Sequence, residues 1–181
     1  DALVVRQATA GIAVLQEQDD VVCLRVGAGE HWHHLVEWTL ARGYFGLENL
    51  ALIPGTAGAA PIQNIGAYGV ELESAVQRVH ALSVHSGDAL ELSAGECRFG
   101  YRDSIFKHAL RDQLFITAID LQLHKRAAVQ TAYPALAAQL ETAGVGAPTP
   151  RHVFDAVVII RSSKLPDPAT QPNAGSFFKN P

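Results

Sequence analysis

The chain has 181 residues, 48% of them hydrophobic and 18% charged, and 14 Lys and Arg against 18 Asp and Glu leave a net charge of −4. That is the length of one domain, too apolar for intrinsic disorder and large enough to bury about 70% of its unfolded surface. The mild acidity, without a basic stripe, argues against a nucleic-acid partner, and the apolar run Ala156 to Ile160 falls far short of the roughly 20 residues a membrane span needs.

Leu3 to Arg6, Ile12 to Gln16 and Val21 to Val26 are short apolar stretches parted by Gly11 and Asp19-Asp20, and they read as strands. Gly27-Ala28-Gly29 breaks the pattern. Trp32, Leu35, Val36 and Thr39 then recur at helical spacing, with Gly43 as terminator. Gly46 to Gly69, with five glycines and two prolines, fits neither period. Arg78 to Val84 and Ala89 to Leu92 form a predicted hairpin about Ser86-Gly87-Asp88. Phe115 to Leu123 alternates as a strand with unequal faces. Pro134 to Ala143 and Arg151 to Ser163 read as helices, the second ended by Leu165-Pro166-Asp167-Pro168. Strands outnumber helices without strict alternation, which favours an α+β fold.

The chain opens on Asp1-Ala2-Leu3-Val4-Val5 without a methionine, and it reads as a piece cut from a longer protein. No basic, apolar leader suggests secretion. Cys23 and Cys97 lack CxxC spacing, so a disulfide framework or zinc site is not expected, and a reducing cytoplasm fits.

Three segments carry candidate chemistry. From Pro54 to Gly69 the side chains are small enough for backbone N–H groups to approach an anion, and a flat ring could lie against Ile53, Ile62 and Ile65; the alternative is a loop that fills space between layers. In Phe99-Gly100-Tyr101-Arg102-Asp103-Ser104, the Arg102 fork could clamp a carboxylate or phosphate, or Arg102 and Asp103 form a surface pair. In Asn173-Ala174-Gly175-Ser176-Phe177-Phe178-Lys179-Asn180-Pro181, Ser176 is either a pinned, shielded hydroxyl or an ordinary loop serine beside core phenylalanines; no GxSxG elbow is present. His31, His33 and His34 have no HExxH pattern and read as a solvated polar face rather than metal ligands. Lys164 suits a helix C-terminus. Neither GxGxxG nor a GxxxxGK[ST] loop occurs in the context a nucleotide fold requires.

Taken together, five ordered blocks resemble the UDP-N-acetylenolpyruvoylglucosamine reductase (MurB) family, in its tyrosine-loop (type I) subclass: Val26 to Glu30 with Trp32, Gly46 to Gly55, Pro61 to Glu71, Cys97 to Lys107, and Lys164 to Pro168 with Asn173 to Pro181. The resemblance implies an FAD-binding domain of the vanillyl-alcohol-oxidase/PCMH type, incomplete here: residues 1–163 as the flavin domain, and 164–181 as a linker and the start of a substrate domain. It implies reduction of the flavin by NADPH and transfer of hydride to UDP-N-acetyl-enolpyruvoylglucosamine, giving UDP-N-acetylmuramate for peptidoglycan precursor synthesis.

By the same resemblance, Arg102 and Ser176 are catalytic, as charge stabiliser and proton donor. Ile53, Pro54, Gly58, Ala59, Ile62, Gly66, Ile116 and Arg161 fall along the flavin; Tyr68, Tyr101, Tyr133, Lys164 and Asn180 bind substrate. A first pyrophosphate loop is expected before Asp1, and a substrate domain with a catalytic glutamate after Pro181, so the 181-residue piece is expected to hold FAD weakly and not to turn over. A cytoplasmic monomer is expected. The alternatives are another FAD-linked oxidase of the same fold, and a sugar-nucleotide-binding module without catalysis.

Overall fold

The computed structural model describes residues 5–166, 170 and 171. Its centre is a five-stranded, wholly antiparallel sheet. The strands are β1 (Ile12–Glu17), β2 (Val21–Gly27), β5 (Val76–Ser83), β6 (Ala89–Ser93) and β7 (Leu114–His124), in the order β1-β2-β7-β5-β6. Between β2 and β5 the chain runs through helix α1 (Trp32–Ala41), single 3-10 turns at Glu48–Leu50 and Ala60–Gln63, and a two-residue-strand hairpin, β3 (Gly66–Ala67) with β4 (Val70–Glu71). Helices α2 (Pro134–Thr142) and α3 (Pro150–Lys164) follow the sheet. The α+β expectation holds.

One cluster makes the core. Val22, Leu24 and Val26 of β2 and Ile119, Leu121 and Leu123 of β7 are fully buried, together with Trp32 and Leu35 of α1, Leu136 of α2 and Val153 and Val157 of α3. The period-2 burial of β2 follows from one face turned to the helices. In β7 the alternation breaks: Ala81 pairs with Ile116 and His80 with Ala118, so Thr117 is the extra residue of a bulge. Ile116 and Ile119, three apart, are therefore both buried.

Helix α3 starts at a capping box. The Thr149 hydroxyl accepts from the His152 N–H, His152 Nδ1 accepts from the Thr149 N–H, and Pro150 occupies the first turn. Arg161 and Lys164 complement its C-terminal dipole. Among the described residues no helix is long and apolar enough to cross a membrane.

The first expected strand is corrected. Leu3 and Val4 lie outside the described residues, and Val5 and Arg6 belong to no strand. The next stretch, Gln7 to Gly11, is tied on by separate bonds: Gln7 Nε2 to the Ile116 carbonyl, and the N–H groups of Gly29 and Gly27 to the carbonyls of Thr9 and Gly11. The pairing residues there, Gly27 and Gly29, press so close to Thr9 that a Cβ would meet its carbonyl oxygen at 2.6 and 2.9 Å.

Candidate functional site

The glycine-rich segment is held by the end of β2 and the start of α1. Trp32 anchors it twice, its N–H donating to the Gly55 carbonyl at 3.1 Å and its buried indole Nε1 to that of Leu50 at 3.0 Å. The Gly58 N–H donates to the Ala28 carbonyl at 2.9 Å. A Cβ on Gly58 would meet that of Ala28 at 2.5 Å, so only glycine allows this approach.

Beyond Gly58 opens a groove of about 610 Å³, walled by Gly58, Ala59, Ile62, Phe106, Leu110, Leu114, Phe115 and Ile116, with Gln7, Thr56, Lys107, Arg111 and Asp112 as its polar members. The groove gathers four of the residues expected along the flavin: Gly58, Ala59, Ile62 and Ile116. Ile53, Pro54, Gly66 and Arg161 are not among those lining it.

Gly66 lies instead beneath Arg102. Tyr68 and Gly69, with φ of 49° and 83°, make the two-residue turn of the β3–β4 hairpin. Such a turn needs positive φ at both positions. It sets Glu71 opposite Gly66. The Arg102 guanidinium spans the pair, with Nη2 donating to the Gly66 carbonyl and Nη1 to Glu71 Oε1 at 3.2 Å and the Asn64 carbonyl at 3.5 Å. A Cβ on Gly66 would meet Nη1 at 2.5 Å.

The fully buried Asn64 fixes the arrangement from behind, donating from Nδ2 to Glu71 Oε2 and to the Gly100 carbonyl, both at 3.0 Å, and accepting the Glu73 N–H at Oδ1. Ser104 Oγ donates to the Ile62 carbonyl at 2.6 Å and so joins the Arg102 segment to the groove wall. The Tyr101 ring sits 5.0 Å from the Arg102 guanidinium. The alternative of an Arg102–Asp103 surface pair is not observed: Arg102 pairs with Glu71, and Asp103 with His108.

A third group forms around Leu52, whose φ is 54°. Its N–H donates to His33 Nδ1 at 3.1 Å, and its carbonyl accepts from Arg161 Nε at 3.2 Å. His33 stacks on Phe154 with ring centres 5.6 Å apart, and burial pushes its pKa below the usual histidine value. The solvated-face expectation therefore fails for His33, while His31 and His34 are exposed. Burial also lowers the Arg161 pKa, and Tyr68 opposes that shift. Tyr68 meets Tyr133 edge-to-face at 5.4 Å, and its carbonyl accepts from the buried Asn49 Nδ2 at 3.0 Å. Burial pushes the Tyr68 hydroxyl above the ordinary tyrosine range. Lys164 is exposed at the last position of α3. Ser176 and Asn180 lie outside the described residues.

The groove offers a ligand an apolar wall with a few charged groups beside it. Its volume falls in the usual range for cofactor sites. Its wall is apolar with small residues at Gly58 and Ala59, and Lys107 and Arg111 supply cations, Arg111 paired with the Asp112 carboxylate. Aromatic rings joined to a pyrophosphate, as in a flavin dinucleotide, match that donor set.

Residues 2–93 match the FAD binding domain family, and the chain belongs to it. The fold is thus that of a flavoprotein's cofactor-binding unit. More particularly, the chain is similar to proteins named UDP-N-acetylenolpyruvoylglucosamine reductase. That of Chromobacterium violaceum is 53% identical over 180 residues, covering 99% of this chain and 53% of the relative. That of Paraburkholderia phymatum is 51% identical over 183 residues, covering 100% and 53%. The crystal structure of UDP-N-acetylenolpyruvylglucosamine reductase (MurB) from Thermus caldophilus superposes with a TM-score of 0.59 at 25% identity, over 87% of this chain and 48% of that one. The chain spans about half the length of the relatives it matches. The resemblance carried by the five motif blocks extends to the whole chain.

Glu71, Asn64, Gln7 and His33 escaped the sequence reading as site residues. A signal existed for one: Tyr68-Gly69 is a two-residue turn, and counting back from it pairs Gly66 with Glu71.

Proposed function

We propose that the protein containing this chain reduces UDP-N-acetyl-enolpyruvoylglucosamine to UDP-N-acetylmuramate, using FAD and NADPH. The observation that carries the reading is Arg102, fixed by Asn64, Gly66 and Glu71 on a segment tied to the groove wall through Ser104. Near 50% identity to the named reductases over the whole chain supports it.

FAD, when bound, would supply hydride chemistry to the substrate's enol ether, with NADPH as the source of the electrons. As the new C–H bond forms at the terminal vinyl carbon, the π pair of the C=C bond moves toward the adjacent carbon and its carboxylate. A guanidinium fixed in advance lowers the energy of that charge without reorganising, and Arg102 is placed in this role. Ser176 gives the proton that makes the second C–H bond, and is itself reprotonated from water. Gly58, Ala59, Ile62 and Ile116 hold the cofactor from the groove, and Gly66, Ile53, Pro54 and Arg161, which do not line it, meet other parts of the cofactor. Tyr68 and Tyr133, already packed together, hold the substrate with Tyr101, Lys164 and Asn180.

The flavin domain ends at residue 163, and 164–181 lead into a substrate domain. The protein acts in the cytoplasm as a monomer. In the full-length protein the bound flavin should be bleached by NADPH and recoloured by the enolpyruvyl UDP-sugar, with a product two hydrogens heavier. Bleaching without recolouring would leave a flavoprotein with another acceptor; neither event would leave a binding module.

A further inference from the structure

We infer that Glu71 is a positioning residue that sets which edge of Arg102 meets a substrate carboxylate; this rests on the reading of Arg102 above. A guanidinium has five N–H donors in a fixed plane. Here both Nη1 donors and one of Nη2 are taken, by Glu71, the Asn64 carbonyl and the Gly66 carbonyl. Nε–H and the second Nη2–H have no acceptor among the described residues. Nε and Nη2 are the donors with which Arg25 of this same chain grips Asp120, at 2.7 and 2.8 Å. With Nη1 wholly engaged, the Nε edge of Arg102 is the one left for a carboxylate held side-on.

Glu71 can impose this because both of its carboxylate oxygens are engaged. Its register opposite Gly66 is set by the hairpin, and its second oxygen is held by Asn64, which is itself fully buried. The Arg102 and Glu71 side chains are 25% and 27% exposed. Ion pairs open to water in this way contribute little to stability. The geometry therefore matters for orientation. Without the Glu71 carboxylate, Nη1 would be released to compete for the incoming anion and the plane would turn.

The test uses the full-length protein and follows flavin reduction by NADPH and reoxidation by the enolpyruvyl UDP-sugar in separate single turnovers. Glu71→Ala is expected to slow the limiting rate of reoxidation on the order of 10- to 100-fold, as misplaced groups do, with flavin reduction within about twofold of the parent on the same principle of local orientation. Glu71→Gln keeps an acceptor for Nη1 but turns its amide nitrogen toward the Asn64 Nδ2 donor, so it should recover part of the loss, and it decides the matter if Glu71→Ala retains no flavin. Combined with Arg102→Ala, Glu71→Ala should add nothing. Additive losses, equal losses in both turnovers, or an unchanged Glu71→Ala rate would overturn the inference. If Arg102→Ala alone leaves reoxidation unimpaired, the reading of Arg102 beneath it is what fails.

Discussion

The backbone N–H of Leu52 donates to His33 Nδ1 at 3.1 Å, so the ring must keep that nitrogen unprotonated while Leu52 holds its left-handed conformation. Burial lowers the His33 pKa; Arg161 and His34 push the same way, and Glu37 opposes them. The unfolded chain then binds the proton more readily, so stability is full above the usual value of 6.5 and is lost as pH falls through the lower native value. Unfolding midpoints in urea should drop between about pH 7.5 and about pH 5.5. His33→Asn, which keeps an acceptor but does not titrate, should flatten that slope.

Gly58→Ala tests the docking of the glycine-rich segment. The added methyl must displace Ala28, whose Cβ lies 2.5 Å from its ideal position and whose backbone is at 3.1 Å. Overpacking of this kind costs about 1–3 kcal/mol. Thermal unfolding should show that loss, together with weaker flavin retention.

Much of the fold was legible in the sequence. The period of 3.6 from Trp32 to Thr39 gave α1, and the alternation in Val21 to Val26 gave β2, because each presents one face to a single core. The turn at Ser86-Gly87-Asp88 gave the β5–β6 hairpin. The features that escaped depend on partners distant in the chain. His33 looks polar until α3 brings Phe154 against it, and Arg102 has a nearer acid in Asp103 than Glu71, which only the hairpin makes adjacent. Thr117 as a bulge residue depends on how β5 and β7 pair, which no single strand records. The grouping of Gly58, Ala59, Ile62 and Ile116 followed from family resemblance rather than periodicity, since they come from two remote segments.

Asp120 anchors the outer face of the sheet. Burial alone would raise its carboxyl, but hydrogen bonds from Arg25 and His80, at 2.7, 2.8 and 2.8 Å, outweigh it and hold the group below the ordinary aspartate value. Stability from this group is present above the usual 3.8 and is lost as pH falls through its native value. Asp120→Asn should cost about 2 kcal/mol, between the roughly 1 kcal/mol of a surface pair and the roughly 3–5 kcal/mol of a wholly buried one. The intermediate figure reflects the Arg25 side chain, which is 44% exposed. Chemical denaturation near neutral pH measures it.

The two thiols should differ sharply in reactivity. Cys97 is fully buried, and burial pushes its pKa to about 12, whereas Cys23 is half-buried on β2. Since the thiolate is the reactive form, a maleimide should label Cys23 in the native protein and reach Cys97 only after denaturation. Mass spectrometry of the labelled peptides reads this directly.

Arg102 is the group on which the proposed chemistry turns, because the proposal assigns it the charge that develops on the substrate. Single-turnover reoxidation of the reduced flavin by the enolpyruvyl UDP-sugar, in full-length protein carrying Arg102→Ala, tests it most directly. A loss of about 10²–10³-fold is expected, the usual effect of removing one such donor, with reduction by NADPH largely preserved. Reoxidation at the parent rate, or equal loss in both steps, would contradict that role.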